Sequence, residues 1–150
     1  MKQLLPSLLL LASTCAASAS GGLSCTVDDA NLAFLVEAGV TRGMGGPVFA
    51  LEGEAELRDA GVAEDLRRTA FGREHLAQYW LDGQELRLLL YRERSGEAPF
   101  GSVEIVVLTK MSEEGLYDGR YQFSISDMTG DMTGEGRSWD LEGAVSCFVE

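Results

Sequence analysis

The stretch Ser138-Trp139-Asp140-Leu141-Glu142-Gly143-Ala144-Val145-Ser146-Cys147-Phe148-Val149-Glu150 decides the fold. Apolar or small residues stand at Trp139, Leu141, Gly143, Val145, Cys147 and Val149, and Phe148 is the one large apolar residue out of phase. A period of two marks a β-strand with one buried and one wet face, whereas a helix needs apolar positions three and four apart. The pattern predicts an integral core strand with Trp139, Leu141, Val145 and Val149 well buried and with Asp140, Glu142 and Ser146 outside.

The same alternation recurs upstream. Tyr121, Phe123 and Ile125 share one face of Gly119 to Asp127, which predicts an antiparallel partner for the last strand. Val103, Ile105 and Val107 alternate with Glu104, Val106 and Leu108, and Leu86, Leu88 and Leu90 with Arg87, Leu89 and Tyr91. These two segments are apolar on both faces, so they belong in the middle of a sheet or under a covering element. Asp82-Gly83 reads as a tight turn that pairs Leu76 to Leu81 with the strand after it. Pro47 to Leu57 places Phe49, Leu51, Gly53, Ala55 and Leu57 on one face against Glu52, Glu54 and Glu56, and Leu32 to Val36 is a further short strand. Val62, Leu66 and Ala70 have helical spacing, which predicts one short helix near Val62 to Thr69. The fold class is therefore mainly β: an antiparallel β-sandwich or small β-barrel of about seven strands with at most one short helix.

Residues 1–19 have the layout of a secretory signal peptide, with Lys2, an apolar run from Leu4 to Ala12, and small residues at Ala17-Ser18-Ala19. Their removal would leave residues 20–150 as a single β-rich domain. Leu11-Ala12-Ser13-Thr14-Cys15 also resembles the bacterial lipobox, although Ala12 and Thr14 depart from it, so Cys15 is a candidate lipid acceptor. Either route takes Cys15 out of the pairing pool and leaves Cys25 and Cys147 as a disulfide in an oxidising compartment. No apolar run approaches the roughly 20 residues of a transmembrane helix. The expected location is the periplasm or the exterior, with an outer-membrane lipoprotein as the lipidated form.

The formal net charge is −12, and Lys110 is the single lysine after Lys2. Coulomb repulsion disfavours nucleic acid and anionic membrane faces as partners. Usual catalytic parts are scarce. His75 is the single histidine and could act as a base or a cap, no nucleophile-elbow motif accompanies it, and two cysteines with one histidine fall short of a structural zinc set. Asp127, Asp131 and Glu135 lie in the tandem Asp-Met-Thr-Gly repeat and the residues just after it, and form a weak calcium candidate, because their spacing matches neither the EF-hand nor the nonapeptide repeat. The repeat reads as a tolerant hairpin extension, and no cofactor is expected. Tyr79-Trp80 with Tyr91 could offer a stacking platform, but adjacent strand residues face opposite ways. Trp80 and Trp139 read as core anchors and Tyr91 as the exposed aromatic. These features lean away from an enzyme and favour an exported, non-catalytic binding or structural domain whose partner is an envelope protein, another envelope component or a small ligand. A small-ligand carrier with a closed-barrel cavity and a small carboxylate-dependent hydrolase are the alternatives.

Overall fold

The computed structural model describes residues 20–41, 48–129 and 135–150. Among these residues nine strands form one antiparallel sheet: β1 (Ser20–Asp28), β2 (Leu32–Thr41), β3 (Val48–Leu57), β4 (Arg68–Gly72), β5 (Leu76–Leu81), β6 (Glu85–Glu93), β7 (Gly101–Glu113), β8 (Leu116–Asp127) and β9 (Arg137–Val149). Their spatial order is β4-β3-β2-β1-β9-β8-β7-β6-β5. Each hairpin neighbour in sequence is a neighbour in space, and the first strand meets the last. The sheet curls into a nearly closed barrel whose gap lies between β4 and the β5–β6 hairpin.

The strand count exceeds the seven expected because two strands hide their pattern. In β1 only Leu23, Cys25 and Val27 alternate, behind two glycines. In β4 the residues Thr69 and Phe71 are buried and Ala70 is exposed, so the helical phase of Val62 and Leu66 ends before Ala70. The helix α1 covers only Glu64–Arg67, shorter than the span expected from Val62 to Thr69. It inserts Leu66, with Val62 just ahead of it, against the core.

Two irregularities re-aim side chains. The β2–β3 register shifts between Glu37 and Gly39, where Ala50 adopts φ +48°. Left-handed backbone is costly for a residue with a Cβ, and here it lets Val48 and Leu51 both face inward while Phe49 turns out. Phe49 therefore does not share the inner face with Leu51. A second shift in the β5–β6 register, between Leu76 and Gln78, sends Tyr79 and Leu81 toward the core and Trp80 outward.

The barrel is filled. Leu32, Val36, Leu86, Leu90, Ile105, Val107, Tyr121 and Ile125 from four strands have no accessible surface, so no water-sized void touches them. Cys25 and Cys147 sit directly opposite each other across β1 and β9, 4.0 Å apart at Cα, and are joined as a disulfide. That bond spans 122 positions and staples the shortest ladder in the barrel, Leu23–Thr26 against Ser146–Val149. Among the described residues no helix is long and apolar enough to cross a membrane.

The last strand faces as its alternation dictates, but less of it is covered. Val145 and Cys147 are buried, and Asp140, Glu142 and Ser146 are exposed. Trp139, Leu141 and Val149 are only half-buried against the core, short of the full burial expected. For Trp139 and Leu141 the reason is that β1 pairs with β9 only from Ser146 onward, which leaves the first half of β9 flanked on one side.

Candidate functional site

The outer surface of β5, β6 and β7 carries the feature that the double-sided strands announced. Leu89 stands opposite Val106, Arg87 opposite Leu108, and Trp80 opposite Arg87. Their side chains form one apolar patch on the outside of the barrel, with Trp80 56% exposed at its edge and Leu89, Val106 and Leu108 half-buried. A hollow of about 350 Å³ runs between Gln78, Trp80, Arg87, Leu89, Val106 and Leu108. Trp80 is thus an outward residue and not a core anchor. Size and hydrophobicity suggested burial, but β5 borders the gap and no described element lies over it.

Charge frames this patch. Arg120 is opposite Leu108 on β8 and has no ion-pair partner among the described residues, while Arg87 pairs with Glu85 on its own strand. Across the barrel the outer face of β2 and β3 is acidic: Glu37 lies directly opposite Glu52, with Glu54 and Glu56 following along β3. Like charges facing each other on adjacent strands are destabilising, so the acidic face is held by the inward packing beneath it.

The other sequence candidates fall elsewhere. Tyr91 is half-buried and its hydroxyl donates to Glu93 Oε1 at 2.9 Å, so the three aromatics do not form one platform. His75 closes the 3-10 turn Arg73–His75. Its Nδ1 accepts the Gly72 N–H at 2.8 Å, and its ring stands edge-on to Phe71 with centroids 6.1 Å apart. With Nδ1 occupied as an acceptor it cannot also donate to Glu74 Oε1 3.6 Å away.

Asp127 is not part of a free loop tip. It ends β8 with no exposure, and its Oδ1 accepts from Arg94 at 3.0 Å and from Thr129 Oγ1 at 2.6 Å. Arg94, itself 5% exposed, also donates to Asp65 Oδ2 at 2.5 Å. Burial raises the Asp127 carboxyl, but the Thr129 and Arg94 donors outweigh it and hold it below the usual carboxylate range. The Arg94 hydrogen bond likewise holds Asp65 low. This chain of charges ties α1, the β6–β7 connection and the end of β8 together. A slot of about 80 Å³ beside it, lined by Leu66, Thr69, Arg92 and Val103 among others, has room for a few waters at most. Asp131 lies outside the described residues, and Glu135 is exposed and apart from this chain of charges.

Cys25 and Cys147 are brought together, and Cys15 lies outside the described residues. Sequence reasoning missed Trp80 and Arg94. The apolar outer residues Leu89, Val106 and Leu108 carried a signal for the first; nothing local marked the second. No family model, curated protein or solved structure matches this chain.

Proposed function

We propose that this chain is an exported, non-catalytic envelope protein that binds a protein partner through the outer face of β5, β6 and β7. The observation that carries the reading is the uncovered patch of Trp80, Leu89, Val106 and Leu108 on strands whose other face already lines the core. Apolar residues with a protruding tryptophan and a flanking arginine are the composition of an interface centre. Arg87 and Arg120 at its border fit a partner whose apolar contact is rimmed by carboxylates.

Two further observations support this over the alternatives. A carrier needs a pocket of roughly 300–1,000 Å³ inside the barrel, and the inward side chains leave no accessible surface at the centre. A carboxylate-dependent hydrolase needs one acid with a raised pKa, whereas Asp29, Asp65, Asp82, Asp118 and Asp127 are all held low. Export rests on the layout of residues 1–19 and on the disulfide. Free release and tethering through Cys15 are both compatible with an outward-facing binding surface.

Photo-crosslinking tests the reading in the producing cells. A crosslinker placed at Leu89 is expected to yield a discrete heteromeric adduct that Trp80→Ala abolishes, while one at Glu54 on the acidic face yields none. Equal labelling from both positions, or none from Leu89, would overturn it.

A further inference from the structure

The first half of β9 is an unpaired sheet edge. Among the described residues the strand is bonded to β8 alone from Arg137 to Val145, since β1 joins it only at Ser146. The close Cys25–Cys147 Cα separation of 4.0 Å marks a non-hydrogen-bonded pair, so it is the even-numbered residues of β9 that bond toward β1. The Glu150 N–H to Gly22 carbonyl bond at 2.9 Å has the same parity. Carried along the unbroken β8 register, that parity aims the backbone N–H and C=O groups of Ser138, Asp140 and Glu142 at open space. The segment has no proline and no bulge, two of the devices by which exposed edges are commonly blocked, and its blocking charges, Asp140 and Glu142, are of one sign and admit a cationic strand. The β1–β2 turn ends it, because a Cβ on Gly143 would come within 3.0 Å of Asp29 Oδ2.

We infer that this edge is a strand-addition site that takes an extended partner segment of alternating basic and apolar residues. Side chains of an added strand alternate between the two faces of the sheet, in register with those of β9. On the outer face they would meet Ser138, Asp140 and Glu142, beside a shallow hollow of about 470 Å³ that Glu104, Asp140 and Glu142 line without any arginine or lysine. On the inner face they would cover Trp139 and Leu141, which the barrel leaves half-buried. Acid outside, and inside an apolar surface whose Trp139 ring is partly covered by the Arg137 guanidinium 5.2 Å from its centroid, specify the complementary alternation. The outer hollow shares Val106 with the Trp80 patch, but the open backbone edge of Ser138, Asp140 and Glu142 lies two strands away from that residue.

An acetylated eight-residue peptide of alternating lysine and valine, titrated into ¹⁵N-labelled protein, tests the inference. Shifts confined to residues 137–143 are expected, with slowed exchange of the Ser138, Asp140 and Glu142 amides. Trp80→Ala should leave the affinity unchanged, Asp140→Pro should weaken it at least tenfold by removing an outward N–H, and a glutamate–valine peptide should not bind. If Asp140→Pro fails to fold, the Asp140→Lys/Glu142→Lys double variant carries the test by reversing the preference between the two peptides. Shifts spread over all acidic surfaces, shifts centred on Trp80, or no binding would overturn the inference. So would concentration-dependent protection of the same amides in the protein alone, which would assign the edge to a second copy of this chain.

Discussion

The hydroxyl of Tyr121, in the middle of β8, donates to Oδ2 of Asp29 in the β1–β2 turn at 2.6 Å, across 92 positions of sequence. Asp29 Oδ1 also accepts the N–H groups of Asn31 and Leu32 at 2.8 and 2.9 Å. One carboxylate thus builds the turn and anchors it to a fully buried tyrosine where the β1–β9 ladder has already ended. Burial raises the Asp29 carboxyl, and the Tyr121, Asn31, Leu32 and Arg58 interactions more than reverse this. Burial first, and then the bond to Asp29, push the Tyr121 hydroxyl well above its ordinary value.

Tyr121→Phe should cost about 1–3 kcal/mol, the range for losing a hydrogen bond to a charged group. Because the folded-state value of Tyr121 is raised, its contribution is complete below the unfolded value of about 10 and is lost as pH rises beyond it. Denaturant unfolding from pH 8 to 11 should show the native protein weakening above about pH 10 and the variant weakening less. Parallel curves would contradict the bond.

Arg94→Met should cost about 3–5 kcal/mol, since it leaves Asp127 buried without its cation. The carboxyls of Asp127, Asp65 and Asp29 are depressed, so the stability they contribute is present above about pH 4 and is lost as pH falls through their folded values. In the variant Asp127 and Asp65 lose the cation that depresses them, so less stability should be lost on acidification and the acid limb should be shallower. Unfolding midpoints followed from pH 7 to pH 2 check both statements, and an unchanged acid limb would refute the assignment.

Reducing the Cys25–Cys147 bond, or replacing both residues by serine, should cost about 2–5 kcal/mol. Alkylation followed by mass measurement should find Cys25 and Cys147 unlabelled in the oxidised protein. Two labelled cysteines, or equal stability with and without reductant, would contradict the closure.

Burial ranks substitutions along the strands. Leu88→Ala, at a position almost wholly covered, should cost about 2–5 kcal/mol, and half-buried Leu141→Ala should fall below it. Asp140→Ala should stay near 0.5 kcal/mol. Chemical denaturation of the three variants gives the order directly, and an Asp140→Ala cost above that of Leu141→Ala would mean the register is shifted by one residue.

How much of this was legible depends on range. The facing of β9 followed from its own alternation, and the Asp82-Gly83 turn and the β8–β9 pairing were equally local; Gly83 does adopt φ +83°. What a neighbouring strand leaves uncovered is not written in the strand itself. The half-burial of Leu141 depends on where β1 stops, and the exposure of Trp80 on which strand borders the gap. Arg94 reads as a loop cation until α1 and the end of β8 converge on it. The bulge at Ala50 reversed Phe49 because one inserted residue inverts every face that an alternating pattern assigns before it.

The barrel is filled, and the proposed binding surface lies on its outside. Titration with an anilinonaphthalene sulfonate dye tests it most directly, since the dye offers an apolar body to either surface and an anion to Arg87 or Arg120. Weak binding is expected, which Trp80→Asp abolishes and Ile105→Val, inside the barrel, leaves unchanged. Tight one-to-one binding that survives Trp80→Asp and responds to Ile105→Val would place the ligand in the interior and contradict it.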